Sequence, residues 1–292
     1  MNALSNYTSL VWRAPDGVTL HARDYSGSGG EPKLPVICLH GLTRNSQDFE
    51  DIAPMIAATG RRVIVPDVRG RGRSEYDPHP MRYIPKVYAS DIRGLLEALG
   101  IERAVFLGTS MGGVITTLLA ARHRRLVAAA ILNDIGPEAG TEGLARIAGY
   151  AGRLIDITSW DDAVAYVRDI NEAAFPDADD AFWERFAQRT FDREDGVPRL
   201  NYDPRIREPI AAGKLKTAPR ISWLLFRYLA WRRPLLVLRG ELSDILTEDI
   251  ARRMQRIAPR TELVEVPLVG HAPVLTEPAA RNGIATFLKR VD

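Results

Sequence analysis

The sequence predicts an α/β protein: a mostly parallel, eight-stranded sheet flanked by helices, with an inserted helical cap. Two observations lead to this class. Short apolar runs with strand character alternate with segments of helical spacing over most of the chain, as is typical of parallel sheets. One long block, 137–218, has helical spacing but no buried strand pattern. We therefore predict a core formed by 1–136 and 219–292, with 137–218 as a cap or lid inserted after the sixth strand.

The first two strands are predicted near the N-terminus. Tyr7 to Arg13 and Val18 to Tyr25 flank a turn that contains Asp16-Gly17, and Asp-Gly between two such runs is a strong hairpin signal. This hairpin is expected to form an antiparallel edge of the sheet. The other six predicted strands are 34–39, 63–66, 105–107, 126–132, 235–239 and 262–266, and most of them are apolar runs.

The segment from Val105 to Val114 carries the most specific chemical signal. A strand-like run reaches Ser110, which has Gly108 and Gly112 two positions away on either side, and a helical run follows. In a sharp turn between a strand and a helix, larger side chains at the glycine positions would collide with the backbone. The pattern predicts a nucleophilic serine whose hydroxyl lies above the sheet. The alternative is a glycine turn that only packs a strand against a helix.

A nucleophilic serine needs a base and an acid, and both are found after later strands. His271 and Asp244 each follow a predicted strand, and functional groups in such sheets collect beyond the carboxyl ends of strands. We predict that His271 takes the proton of Ser110 and that Asp244 orients the imidazole. Asp134, which also ends a strand, is the alternative acid. The alternatives for His271 and Asp244 are a loop histidine and a helix cap.

The order serine, acid, histidine around this turn resembles the α/β-hydrolase superfamily, and the resemblance covers nearly the whole chain. In that family a His-Gly pair, here His40-Gly41, opens the oxyanion loop. The resemblance implies that the backbone N–H groups of Leu42 and Met111 form the oxyanion hole. We interpret His40 as a structural rather than a catalytic histidine.

The composition limits the partners. Basic and acidic residues are nearly balanced, 39 against 37, without a long basic block, so we predict a solvated surface and no nucleic-acid partner. The single Cys38 is expected to be a free buried thiol. No apolar run has membrane-spanning length, and the N-terminus lacks a secretion signal, so a cytoplasmic protein without a membrane partner is expected. Gly70-x-Gly72 lacks the third glycine of a dinucleotide loop. No metal or cofactor is expected, and the oligomeric state stays open.

Three classes of function remain. The first is a hydrolase that cleaves a small or medium carboxylic ester or lactone through an acyl-enzyme. The second is a carbon–carbon bond hydrolase or lyase, or a cofactor-free perhydrolase, that uses the same triad. The third is a non-catalytic receptor for a small molecule.

The substrate is expected to lie between the sheet and the cap. We predict that it contacts His40 and Gly41 and the cap side chains of Trp160, Trp183 and Phe186, because such cavities are lined mainly by apolar and aromatic groups. A largely uncharged substrate is expected, because no cluster of arginine or lysine adjoins Ser110 in the sequence and Arg44 alone follows the His40 loop.

Overall fold

A computed structural model describes residues 7–28, 33–194, 196–214 and 219–291. Within these ranges, ten strands are numbered in chain order: β1 Thr8–Arg13, β2 Thr19–Tyr25, β3 Val36–Leu39, β4 Val63–Asp67, β5 Ala104–Thr109, β6 Val127–Asn133, β7 Phe191–Glu194, β8 Val197–Leu200, β9 Leu235–Gly240 and β10 Glu262–Val266. Eight of them form one sheet in the order β1-β2-β4-β3-β5-β6-β9-β10, and β7 pairs with β8 alone.

The sheet is mostly parallel, as predicted. β2 runs antiparallel to both β1 and β4, whereas the other neighbours in the sheet are parallel. Gly17 has a φ of +90° in the turn between β1 and β2, a backbone conformation that glycine adopts without strain. The predicted N-terminal hairpin therefore forms the antiparallel edge, and the predicted fold class is confirmed.

Helices cover both faces of the sheet. Their bounds are α1 Ile52–Ala57, α2 Pro85–Ala98, α3 Met111–Arg122, α4 Thr141–Tyr150, α5 Trp160–Asn171, α6 Asp180–Thr190, α7 Arg207–Ala211, α8 Pro219–Arg232, α9 Glu248–Ile257 and α10 Pro278–Leu288. Apolar side chains of α1 and α10 pack on one face, and those of α2, α3, α8 and α9 pack on the other. In the described part of the chain, no helix is both long and apolar enough to cross a membrane.

The strand β3 shows how one sheet serves two helical layers. Ile37 and Leu39 belong to the apolar core on one face, and Val36 and Cys38 belong to the core on the other. Because side chains alternate along a strand, a run that is buried on both faces must be apolar throughout. Cys38 is a buried free thiol, as predicted.

The segment 137–214, called the insertion below, lies between β6 and β9 along the chain. It contains α4 to α7 and the β7–β8 hairpin, and it has an apolar core of its own: Ile157, Ala163, Val167, Ala174, Phe175, Trp183, Ala187 and Phe191. The sequence predicted no strand in this block, and the hairpin shows that this was wrong. The hairpin pairs Phe191 with Leu200, but its strands are only four residues long, too short for a clear alternation in the sequence. The predicted cap boundary stays a prediction, and 215–218 lie outside the described residues.

Backbone hydrogen bonds join the insertion to the core beside the sheet. The N–H of Gly72 donates to the carbonyl of Asn201 at 3.0 Å, and the N–H of Asp203 donates to the carbonyl of Gly70 at 2.8 Å. The segment after β4 therefore pairs with the segment after β8, and this contact helps to hold the insertion over the carboxyl ends of the strands.

Candidate active site

Ser110 occupies a strained turn between β5 and α3. Its φ is +50°, in the left-handed region that non-glycine residues seldom adopt. A Cβ added to Gly108 would lie 2.5 Å from the carbonyl of Gly112, and one added to Gly112 would lie 2.0 Å from the carbonyl oxygen of Leu39. The two glycines are needed because the chain closes on itself here, and the turn lifts the serine side chain toward a cavity.

A chain of two hydrogen bonds connects this serine to a buried carboxylate. His271 Nε2 lies 2.9 Å from Ser110 Oγ, and His271 Nδ1 lies 2.8 Å from Asp134 Oδ2. The carboxylate of Asp134 is fully buried. The three side chains therefore have the hydroxyl–imidazole–carboxylate arrangement that activates a serine.

Two further donors hold the carboxylate of Asp134. The N–H of Gly240 donates to Oδ1 at 2.8 Å, and the hydroxyl of Ser243 donates to Oδ2 at 2.5 Å. Buried polar atoms are costly unless they are hydrogen-bonded, and these donors satisfy both carboxylate oxygens. They also fix the oxygen that faces His271. Ser243 was not expected to take part in the site.

Asp244 lies elsewhere, and the prediction that it orients His271 is corrected. Its two carboxylate oxygens accept hydrogen bonds from Nε and Nη2 of Arg146 on α4, both at 2.8 Å. Burial raises the pKa of Asp244, but the hydrogen bonds and charge of Arg146 outweigh burial and lower the pKa below its usual value. Asp134, the alternative acid, is the one that contacts His271.

The strand order explains why Asp134 is the nearer acid. β6 lies between β5 and β9 in the sheet, so the residue that follows β6 is one strand closer to Ser110 than a residue that follows β9. The sequence already showed an acid, Asp134, at the end of β6. The choice between Asp134 and Asp244 depends on the side chains that surround each of them in the fold. In particular, the pairing of Arg146 with Asp244 joins residues 98 positions apart.

The two expected oxyanion donors are Leu42 and Met111. Leu42 follows β3 and lines the cavity, and Met111 is the first residue of α3. The first N–H groups of a helix have no partner within the helix. Among the described residues, the N–H groups of Leu42 and Met111 donate to no other group. Both are therefore free to bind a ligand oxygen.

His40 holds the loop after β3 and is fully buried. Its Nε2 accepts a hydrogen bond from the N–H of Val68 at 3.0 Å, and its Nδ1 donates to the carbonyl of Gly41 at 2.8 Å. Burial lowers the pKa of His40 to about 4, so the ring is neutral near pH 7. This agrees with its interpretation as a structural histidine. His40 does not line the cavity, and the expected substrate contact is wrong.

A cavity of about 140 Å³ adjoins Ser110 and lies between the sheet and the insertion. Its apolar wall includes Ile147, Val167, Ile170, Phe175, Phe182 and Phe186. Gly41 and Phe186 line it, whereas Trp160 and Trp183 do not, contrary to expectation. Trp183 is buried in the apolar core of the insertion. Across the described ranges, no three His, Cys, Asp or Glu side chains are grouped so that they could hold a metal ion.

The polar wall of the cavity contains more charge than the sequence indicated. Arg44, Arg185 and Arg189 all line it, together with Asp48 and Asp51. The expectation that Arg44 alone would serve this region was wrong. The two other arginines, Arg185 and Arg189, belong to α6 and follow Arg44 by more than 130 positions in the sequence.

Comparisons with known proteins agree with this geometry. A family model of the alpha/beta hydrolase fold matches residues 35–278. Over 271 residues the chain is 32% identical to the 3-hydroxybutyrate-oligomer hydrolase of Cupriavidus necator. The alignment covers 91% of this chain and 92% of that relative. Over 281 residues it is 30% identical to the 2-(acetamidomethylene)succinate hydrolase of Mesorhizobium japonicum, with the same two coverages, 91% and 92%.

A solved structure is similar over its whole length. The crystal structure of an alpha/beta hydrolase from Novosphingobium aromaticivorans matches with a TM-score of 0.91 and 43% sequence identity, and the match covers 99% of this chain and 100% of that chain. The similarity includes the insertion as well as the sheet, since so little of either chain is left unmatched.

Proposed function

Since this chain belongs to the α/β-hydrolase family, we propose that it is a serine hydrolase that cleaves small or medium carboxylic esters or lactones. The family and its hydrolase-named relatives make it a hydrolase. The single observation that carries the finer proposal is the chain of hydrogen bonds from Asp134 through His271 to Ser110.

The first step is the attack of Ser110 on the carbonyl carbon of the substrate. A serine hydroxyl is a weak nucleophile at neutral pH, so His271 Nε2 accepts its proton as the Oγ–carbon bond forms. Asp134 accepts a hydrogen bond from Nδ1–H, which holds the imidazole in the tautomer that has a free Nε2 and stabilises the imidazolium that results.

The second requirement is a place for the negative charge that develops on the carbonyl oxygen. The N–H groups of Leu42 and Met111 supply two donors, and each such donor is worth about 3 kcal/mol of transition-state stabilisation. Because both belong to the backbone, they need no rearrangement when the charge develops.

The remaining steps return the site to its starting state. His271 gives its proton to the leaving alkoxide as the carbon–oxygen bond breaks, which leaves an acyl-enzyme on Ser110 and releases an alcohol. A water molecule then attacks the acyl carbon, with His271 as base again, and the carboxylic acid leaves. A lactone follows the same steps, with alcohol and acid in one product.

The name of one of the two relatives favours an ester over the other reactions of this triad. One relative is named for oligomers of 3-hydroxybutyrate, and oligomers of a hydroxy acid are joined by ester bonds. The apolar and aromatic side chains that line the cavity suit the hydrocarbon part of such an ester.

The proposal is tested by replacing the nucleophile. We expect Ser110→Ala to fold normally and to hydrolyse 4-nitrophenyl butanoate at least about four orders of magnitude more slowly than the wild type, because the covalent route is lost. Ser90→Ala, on the exposed face of α2, is the matched control and should keep full activity. Circular dichroism checks the fold of both variants. An unchanged rate in folded Ser110→Ala would rule out this mechanism.

A further inference from the structure

One face of α6 is turned toward the cavity. Phe182, Arg185, Phe186 and Arg189 all line it, and their spacing of three and four residues places them on one side of the helix. Two guanidinium groups and two aromatic rings therefore form a single wall of the cavity that contains Ser110.

Two of the three arginines at the cavity already have acidic partners. Arg44 Nη2 lies 2.5 Å and Nε 3.0 Å from the carboxylate oxygens of Asp48, and its guanidinium lies 4.1 Å from the ring centroid of Phe186. Arg189 Nη2 lies 2.8 Å from Asp51 Oδ2. The carboxylates of Asp48 and Asp51 therefore neutralise the charges of these two arginines.

Arg185 differs from both. Its side chain is exposed, and no carboxylate in the described part of the chain pairs with it. Arg189 follows it by four residues on the same helix face, and like charges at this spacing repel each other. Three guanidinium groups and two carboxylates line the cavity, which leaves one positive charge without a partner.

We propose that Arg185 binds a carboxylate of the substrate, so that the natural ester carries a free carboxylate group away from the bond that is cleaved. This inference rests on the proposed function and names its substrate class. The planar guanidinium matches a carboxylate through two parallel hydrogen bonds. A single negative charge balances the cavity, whereas a phosphate dianion would add a second one near the carboxylates of Asp48 and Asp51.

The substrates that fit are monoesters of dicarboxylic acids and acyl esters of hydroxy acids. In both classes an apolar chain separates the carboxylate from the scissile carbonyl group, and the cavity that Ser110 and Arg185 line also has an apolar wall. Such a substrate places its charge on Arg185 and its carbonyl at the serine, and the aromatic rings of Phe182 and Phe186 cover the chain between them.

The test compares charged and neutral esters of similar size. On the acyl side, 4-nitrophenyl hydrogen glutarate is compared with 4-nitrophenyl pentanoate. On the alcohol side, 3-butanoyloxybutanoate is compared with its methyl ester. We expect Arg185→Gln to lower kcat/KM for the charged member of at least one pair by about tenfold to a hundredfold, mainly through a higher KM, and to change both neutral esters by less than about threefold.

A matched control separates recognition from net charge. Arg256→Gln on the exposed surface of α9 removes the same charge outside the cavity, and it should leave all four rates unchanged. Arg185→Lys keeps the positive charge but loses the planar pair of N–H donors. It should therefore show part of the preference for the charged ester that Arg185→Gln loses.

The outcomes distinguish this inference from the function on which it rests. If Arg185→Gln slows the charged and neutral esters equally, or slows none of them, the carboxylate subsite is refuted while hydrolysis of the neutral esters still supports the serine hydrolase. If the wild type hydrolyses none of the four, the proposed function fails. Calorimetric titration with glutarate then decides the subsite: binding to the wild type that Arg185→Gln abolishes supports it, and no binding to the wild type overturns it.

Discussion

Two carboxylates were candidates to orient the imidazole of His271, and they have different partners. Asp134 accepts a hydrogen bond from the imidazole, whereas Asp244 is paired with Arg146. The Arg146–Asp244 pair is partly exposed and joins α4 to the loop after β9. At the scale of single residues, the partner of each acid therefore decides which of them orients the base.

The first prediction at this scale concerns the two acids. Asp134→Asn should lower kcat for 4-nitrophenyl butanoate by about three to four orders of magnitude, because asparagine keeps the shape but removes the charge that selects the tautomer of His271. Asp244→Asn should change kcat by less than about threefold. The two variants are matched controls for each other, and the reverse result would restore Asp244 as the triad acid.

The elements around the site are held by polar groups at strand ends. His40, after β3, connects that strand end to Val68, after β4, and it can do so only as a neutral ring because Nε2 must accept a hydrogen bond. The expected oxyanion donor Leu42 lies two residues after His40 in the same loop. The protonation state of one buried histidine thus bears on the stability of an element that the mechanism uses.

A prediction about pH follows from this histidine. The pKa of His40 is lowered from its ordinary value of 6.5 to about 4, so between these two pH values the unfolded chain binds a proton that the folded chain does not. The stabilisation is complete above pH 6.5 and is lost as the pH falls toward 4. Over that interval the free energy of unfolding should fall by roughly 3 kcal/mol through this group.

Urea unfolding at a series of pH values measures this effect. His40→Gln supplies an acceptor for Val68 and a donor for Gly41 without a titrating ring, so its unfolding free energy should fall less steeply between pH 6.5 and 4 than that of the wild type. Parallel curves for the two proteins would show that His40 does not titrate as expected.

Across the whole molecule, a buried arginine joins three parts of the chain. Arg69, after β4, donates to Asp91 on α2 at 2.6 and 2.7 Å, to Asp77 at 2.5 Å and to Asp16 in the β1–β2 turn at 2.9 Å. The sheet edge, the segment after β4 and α2 therefore depend on one guanidinium. Removing it would leave the buried carboxylates of Asp77 and Asp91 without its charge.

We expect Arg69→Met to lower the free energy of unfolding by about 3–5 kcal/mol, the usual result of removing one partner of a buried ion pair. Arg62→Met is the control, because its pair with Asp24 is more exposed, with 38% of the arginine side chain accessible, and should cost at most about 1 kcal/mol. Equilibrium unfolding in urea measures both variants. Similar losses in the two would contradict a special role for Arg69.

The sequence by itself determined the parts of this protein that depend on neighbours along the chain. Most strands of the sheet follow from short apolar runs, and the first hairpin follows from Asp16-Gly17. The turn around Ser110 follows from the spacing of Gly108 and Gly112, and a larger side chain at Gly108 would collide with the backbone of Gly112 only four residues away. Periodicity and turn chemistry are local, so they can be read without the fold.

Only the tertiary structure decided which side chains meet. It selected Asp134 over Asp244, because strand order and the partner Arg146 are set by contacts about 100 positions apart. It placed Trp183 in a core and Arg185 on the cavity, because the docking of α6 decides which of its faces meets the site. These choices arise from packing between distant segments, and no local pattern in the sequence carries that information.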